Sequence, residues 1–238
     1  MADLTRSVAR FPKTRWSLVA RAKDGEQSKR ALDEICREYW PPLYAYLRRS
    51  GHSVADAEDL TQEFLTRFVV RKNWAVADQA KGRLRSFLLT DLKLFLSDKR
   101  KHDNAQKRGG GKTMVEINGE TMESELADDG ATPDEAFERT WVLTLLKNVF
   151  DSVQETPKTE GERRLFQDMK EAMWAGSGKS QADIAREHGV SEVNVRVMAH
   201  RLRKRYRIAL EATVRETLID GDKSEEEIQY LFRVLDRV

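Results

Sequence analysis

The chain has 238 residues, 39% of them hydrophobic and 34% charged, and its mean hydropathy of -0.66 excludes a membrane-spanning protein. This length allows one or two domains with modest cores. The formal net charge is only +2 at pH 7, so any affinity for an anionic polymer must come from local clusters of Lys and Arg.

Helical periodicity runs along almost the whole chain, and no long stretch alternates as a strand does, so the sequence predicts an all-α protein. An N-terminal segment around Trp16 is assigned to the first helical domain. A helix from about Lys29 is predicted to break at Pro41 and Pro42, because proline lacks a backbone N–H, and then to resume and end at Gly51.

The next helix is predicted to open with an acidic first turn and to carry a regular apolar stripe. Ser53 and Asp56 have the spacing of a capping box, and Leu60, Phe64 and Phe68 recur every four residues. Judged from these residues alone, the acidic side chains of the first turn serve only to stabilise the N-terminus of the helix through its dipole.

A further helix, predicted from about Gly82 to Lys101, is both apolar and basic. Phe87 and Phe95 are interpreted as core residues rather than as platforms on which bases stack. The basic side chains around the apolar face are better suited to contact with a nucleic-acid backbone: Arg83, Arg85, Lys93, Lys99 and Arg100.

The helical pattern stops between residues 104 and 131, where three consecutive glycines precede an acidic stretch. It returns at Thr132, which is followed by Pro133 in the first helical position and by Glu135 where a capping box needs it. The sequence therefore predicts two helical domains, residues 1–103 and residues 132–238, joined by a flexible linker over residues 104–131.

The most informative stretch runs from Ser180 to Tyr206 and fits a helix-turn-helix. Ser180 and Asp183 cap the first helix, Gly189 supplies the turn, and Ser191 caps the second helix. The outer face of the second helix and the basic run after it are predicted to contact DNA bases and phosphates: Ser191, Glu192, Asn194, Arg196, Val197, His200, Arg201, Arg203 and Lys204. The alternative is an ordinary amphipathic hairpin with a solvated basic face.

A final helix carries Ile228, Leu231, Phe232 and Leu235 on one face. This helix extends the predicted second domain. The sequence leaves three roles open for it: packing on the helix-turn-helix, regulating the helix-turn-helix, or binding a partner.

Two stretches imitate ligand-binding loops. The sequence GSGKS at residues 176–180 resembles the end of a phosphate-binding loop, but Met173 stands where that pattern needs glycine. Asp220 and Asp222 suggest a calcium loop, but Glu225 holds the required glycine position. We therefore predict neither nucleotide nor calcium binding.

Cysteine and histidine usage argues against a metal or catalytic centre. Cys36 is the one cysteine of the chain, so no internal disulfide forms, which fits a reducing cytoplasm. Its place beside Leu32 and Ile35 favours a role as a core residue over a reactive or metal-binding one. The spacing of the histidines assembles neither a metal site nor a catalytic triad, and we predict a cytoplasmic protein without cofactor, metal or enzymatic activity. The histidines are His52, His102, His188 and His200.

Several of these stretches resemble the sigma-70-type RNA polymerase sigma factors of the extracytoplasmic-function group. ALDEICREYWPPLYAYLRR followed by DAEDLTQEFLTRF is similar to the start of conserved region 2, whose pattern is close to D-x-E-D-L-x-Q-E. GRLRSFLLTDLKLFLSDKRK takes the place of the helix that melts and reads the downstream promoter element, and the helix-turn-helix takes the place of region 4, which reads the upstream element. FERTWVLTLL with RLRKRYR resembles a subgroup from planctomycete-like bacteria.

The resemblance implies a factor that directs core RNA polymerase to specific promoters and helps to open DNA without catalysing a reaction. It implies that core polymerase binds through its beta-prime clamp helices and beta flap, and that an anti-sigma factor or another regulator is a further partner. The surface implied to dock on the clamp helices comprises Asp56, Glu58, Asp59, an exposed Leu60, Gln62 and Glu63. The alternative function is a polymerase-independent helix-turn-helix regulator whose N-terminal helices dimerise or sense a signal.

Overall fold

The computed structural model describes residues 15–25, 27–109, 130–153, 159–175, 179–218 and 223–236. Its regular secondary structure is helical wherever the chain is described, which confirms the all-α class. None of these helices is both long and apolar enough to cross a lipid bilayer. The helices are α1 (Arg15–Lys23), α2 (Ser28–Arg49), α3 (Val54–Val70), α4 (Leu84–Gly109), α5 (Pro133–Ser152), α6 (Glu160–Ala175), α7 (Gln181–His188), α8 (Glu192–Arg215) and α9 (Ser224–Leu235), with short 3-10 helices at Asn73–Val76 and Gln79–Lys81.

The chain divides into two compact units. Among the described residues, the large unit contains those from Arg15 to Leu146 together with those from Val214 onward, and the helix-turn-helix unit contains those from Lys147 to Thr213. This division differs from the boundary expected from the sequence, which assigned all of residues 132–238 to one domain. The first part of α5 and the whole of α9 belong with the N-terminal helices, and α9 was not expected there.

The core of the large unit is built from the apolar faces of α1 to α5. Phe64 of α3 is 1% exposed, and its ring centroid lies 6.3 Å from that of Phe68 and 5.8 Å from that of Phe95 on α4. Each fully buried phenylalanine contributes roughly 2–3 kcal/mol of hydrophobic free energy. The spacing of four residues predicted for α3 therefore forms the contact between α3 and α4.

The predicted break at Pro41 and Pro42 is wrong, because α2 runs unbroken from Ser28 to Arg49. Tyr39 and Leu43, on either side of the proline pair, are fully buried. Packing on both sides of the pair offsets the two lost backbone N–H groups, which a local propensity argument does not include.

The predicted helix starts are confirmed by their hydrogen bonds. The Asp56 backbone N–H donates to the Ser53 hydroxyl at 3.1 Å at the start of α3. At the start of α5, the Thr132 backbone N–H donates to the Glu135 carboxylate at 2.8 Å, and the Glu135 N–H donates to the Thr132 hydroxyl at 3.3 Å. These short polar side chains supply partners for backbone donors that a helix leaves unpaired.

The helix predicted from about Gly82 to Lys101 begins two residues later and extends further. α4 reaches Gly109, so its last turns occupy the start of the region predicted as a linker. The rest of that prediction, residues 110–129, lies outside the described residues.

The helix-turn-helix unit has a small apolar core of its own. Leu165 and Met169 of α6 pack with Ile184 and Ala185 of α7 and with Val195 and Ala199 of α8. Val195 and Leu202 are each 1% exposed, as the predicted inner face of the second helix requires.

Gly189 ends α7 in a left-handed conformation, with φ 63° and ψ 29°. We expect Gly189→Ala to lower the free energy of unfolding by about 1–2 kcal/mol, because a side chain strains this conformation. Gly161→Ala is the control, since a Cβ there meets only the Thr159 hydroxyl at 3.9 Å in the ordinary helix α6, and it should stabilise by about 0.5–1 kcal/mol. Urea unfolding measures both, and equal shifts in the same direction would contradict this account.

Candidate nucleic-acid interface and α3 groove

The helix-turn-helix is held at its two turns by local hydrogen bonds. Ser180 and Asp183 form a complete capping box, in which the Asp183 N–H donates to the Ser180 hydroxyl and the Ser180 N–H donates to the Asp183 carboxylate, each at 3.1 Å. The hydroxyl of Ser180 is the main cause that lowers the pKa of Asp183 below its ordinary value. At the start of α8, the Asn194 N–H donates to the Ser191 hydroxyl at 3.2 Å. Both predicted caps are confirmed.

The outer face of α8 is open to solvent, as the sequence predicted. Val197 is 42% exposed, and the neighbouring Val193, which the sequence reasoning missed, is 63% exposed. Its spacing of four residues from Val197 was the signal that could have identified it. The predicted DNA-contacting residues of this helix and its cap are all exposed: Ser191, Glu192, Asn194, Arg196, Val197, His200, Arg201, Arg203 and Lys204.

The basic residues of α8 do not all point the same way. Arg196, His200 and Arg203 are spaced by three or four residues, so they share one side of the helix. Arg201 lies on another part of the exposed arc. Within the described residues, the guanidinium groups of Arg196, Arg201 and Arg203 form no ion pair, so they carry their full charge toward solvent.

A polar cluster joins α6 to α7 in the helix-turn-helix unit. The His188 ring nitrogen lies 2.9 Å from the Asp168 carboxylate, and the Lys179 ammonium lies 2.8 Å from Glu187 and 3.6 Å from Asp168. The His188 hydrogen bond is the main cause that lowers the pKa of Asp168, and Glu187 is the main cause that raises the pKa of Lys179.

This cluster contains ligand atoms that the sequence reasoning did not bring together. Oxygen and nitrogen atoms of Asp168, Glu187 and His188 all lie within 4.8 Å of one another. The Lys179 ammonium already supplies a cation to both carboxylates, so we read the cluster as a structural ion-pair network.

The two loops that imitate ligand sites fall largely outside the described residues. Residues 176–178 of the GSGKS segment and residues 220 and 222 of the calcium-like segment are among those not described. Of the remaining groups, Cys36 is half-buried, and burial is the main cause that raises the pKa of its thiol. Burial also lowers the pKa of His52.

A groove lies along α3 in the large unit. It has a volume of about 670 Å³, and its walls carry two carboxylates and two guanidinium groups as well as amide and apolar groups. Phe95 of α4 contributes an apolar ring that is only 3% exposed, and the Arg67 guanidinium lies 5.4 Å above that ring. The lining residues are Asp59, Gln62, Glu63, Thr66, Arg67, Val70, Arg71 and Phe95.

The structure brings three of the six docking residues predicted on α3 to the groove, Asp59, Gln62 and Glu63, and corrects the placement of Leu60. Asp56, Glu58, Asp59, Gln62 and Glu63 are exposed. Leu60, expected to be exposed for a partner, is 8% exposed and belongs to the core. It forms part of the same apolar stripe as Phe64 and Phe68, which leaves it no outward-facing position.

The basic residues predicted on and before α4 fall into two groups. Arg100 is exposed, whereas the Lys93 ammonium pairs with Asp134 and the Lys99 ammonium pairs with Glu63. Arg83 and Arg85 both pair with a carboxylate of α9. The expectation that Arg85 is available at the surface is wrong, because its side chain is only 3% exposed.

Comparison of the chain with protein-family models, with curated proteins and with solved structures finds no match.

The lowered pKa of Asp168 predicts how acid affects the α6–α7 contact. The stabilisation that the ionised Asp168 carboxylate gives the fold is present above its ordinary pKa of 3.8. It is lost as the pH falls through the lowered pKa of the folded state. We expect Asp168→Asn to remove less than about 1 kcal/mol at pH 7, because the pair is partly exposed, and to flatten the loss of stability below about pH 5. Urea unfolding from pH 3 to pH 7 measures this, with Glu171→Gln on α6 as the control. A wild-type acid profile in Asp168→Asn would disprove the assignment.

Proposed function

We propose that this chain is a transcription initiation factor of the sigma type, which binds core RNA polymerase and directs it to promoters. The observation that carries the proposal is the presence, in one chain, of an open recognition-type helix and a separate groove lined by charged and apolar groups. The first suits DNA and the second suits an amphipathic protein segment. A chain with both can join a DNA site to a protein machine without a reaction of its own.

The DNA-binding half of the proposal rests on α8. Its exposed face offers amide, guanidinium and apolar groups, which are the side-chain types that read base edges in the major groove. Arg201, Arg203 and Lys204 continue the helix with positive charge for phosphates. We assign this helix to the upstream promoter element.

The polymerase-binding half rests on the α3 groove. Asp59 and Glu63 are one turn apart on the exposed side, Gln62 lies between them, and the buried ring of Phe95 lies beneath. An amphipathic helix would meet the carboxylates of the rim, the guanidinium groups of Arg67 and Arg71 and an apolar floor, which is the geometry of a helix that binds in a groove. The resemblance to sigma factors implies that this helix belongs to the polymerase clamp.

We expect Gln62→Ala and Asp59→Asn each to weaken binding to core RNA polymerase at least tenfold, which corresponds to roughly 1.4 kcal/mol. Binding of the isolated chain to DNA should stay unchanged. The control is Gln167→Ala, an exposed glutamine of α6. Titration of labelled protein with purified core enzyme measures the affinity. Wild-type affinity in both groove variants would remove the clamp assignment and favour a polymerase-independent regulator.

The two arginines of α8 have different predicted roles. Arg196→Ala should weaken use of the upstream element by roughly 1–3 kcal/mol and relax the preference at one base pair. Arg203→Ala should weaken binding to every sequence alike and lower the salt dependence. A panel of single-base promoter variants, titrated at several salt concentrations, separates the two effects. An equal loss across the panel for both variants would refute base reading by Arg196.

A further inference from the structure

The C-terminal helix α9 places a buried carboxylate on two arginines that the proposed function assigns to DNA. Glu227 Oε2 lies 2.7 Å from Arg83 Nη2, and Glu227 Oε1 lies 2.9 Å from Arg85 Nη1. The side chain of Glu227 is 2% exposed. One carboxylate thus binds both guanidinium groups at the start of α4.

Arg85 makes three further contacts, with side chains of α5 and α9. Its Nε lies 3.2 Å from Glu138 of α5, and its guanidinium lies 4.2 Å above the Trp141 ring and 5.5 Å from the Tyr230 ring of α9. The Tyr230 hydroxyl donates to Glu138 at 3.3 Å. The cluster balances two positive and two negative side chains, so that removal of Glu227 would leave a net positive site.

The apolar face of α9 is only partly buried. Leu231 is its one fully buried apolar side chain, Phe232 is 51% exposed, and the remaining large apolar side chains are half-buried: Ile228, Tyr230, Val234 and Leu235. A helix of 12 residues is too short to be stable by itself in water. A buried ion pair adds little net stability but specifies geometry, because desolvation offsets much of the attraction. The pairing of Glu227 with Arg83 and Arg85 therefore specifies where α9 docks, while its half-buried apolar side chains add to the contact.

Phosphate and carboxylate oxygens both form ion pairs with guanidinium groups, and here each Glu227 oxygen pairs with one arginine. We infer that α9 is a releasable latch, in which Glu227 occupies Arg83 and Arg85 and so keeps them from the phosphates of a single DNA strand. This inference rests on the proposed role of α4 in contacting melted DNA. While α9 is docked, the exposed side chain of Arg100 is available to DNA. When α9 is released, Arg83 and Arg85 become available as well.

The test uses the full chain and a fluorescent single-stranded oligonucleotide of mixed sequence. Glu227→Gln keeps the size of the side chain and removes its charge. Glu225→Gln is the matched control, because it removes the same charge from an exposed position in the same turn of α9. Anisotropy titrations over a range of NaCl concentrations give the affinity and its salt slope. Hydrogen exchange of the α9 amides reports whether the helix is released.

We expect Glu227→Gln to bind about tenfold more tightly than wild type, with a salt slope steeper by one to two counterions. Glu225→Gln should change the affinity less than twofold. α9 should exchange faster in Glu227→Gln while α2 and α3 remain protected, and adding Arg83→Ala should remove part of the gain in affinity, because Arg85 remains available. Equal affinities for Glu227→Gln and Glu225→Gln with α9 released would overturn the latch.

Failure of the latch is distinguishable from failure of the proposed DNA surface. If Arg100→Ala weakens binding of wild type but Glu227→Gln gives no gain, the latch is wrong and the α4 surface stands. If neither Arg83→Ala nor Arg100→Ala affects binding in the Glu227→Gln background, the α4 surface is wrong and the latch falls with it. Loss of protection throughout α2 and α3 in Glu227→Gln would also overturn the latch, because α9 would then be an integral part of the fold.

Discussion

The left-handed turn at Gly189 is the constraint on which the helix-turn-helix unit depends. A residue in the right-handed helical conformation would continue α7, whereas the left-handed conformation of Gly189 lets the chain reverse and start α8 at the Ser191 cap. Once α8 starts there, its register sends Val195 and Ala199 into the core with α6 and α7. The same register leaves Arg196 on the opposite side, in water. The exposed face is thus a consequence of one backbone conformation and a few small apolar contacts.

The two basic regions of the chain are in different electrostatic states. On α8, Arg196 and Arg203 are exposed and form no ion pair with another described residue. At the start of α4, Arg83 and Arg85 are already bound to a carboxylate. Unpaired surface cations attract an anionic polymer at long range, while paired cations must first exchange partners. A net charge of +2 conceals this difference, because it sums charges without regard to their partners.

Local rules predicted the helices well, and tertiary contacts explain the exceptions. Ser53, Thr132 and Ser180 marked three helix starts correctly, since a cap acts within a few residues of its own position. The unbroken α2 at Pro41 could not be predicted, because it depends on burial of the surrounding turn. The placement of Arg85 escaped prediction for a related reason: its partner Glu227 lies 142 residues later in the chain, and no local pattern connects them. The described surfaces of α3 and α8 agree with the predicted exposure except at Leu60, which periodicity alone would have placed in the core.

We propose that the exposed face of α8 and the groove on α3 serve one transcription initiation factor. Transcription of a library of genomic fragments by purified core RNA polymerase, with and without this protein, tests that claim most directly. We predict discrete new start sites that depend on the protein and share a pair of upstream sequence motifs. The absence of new start sites together with the absence of binding to core enzyme would contradict the account.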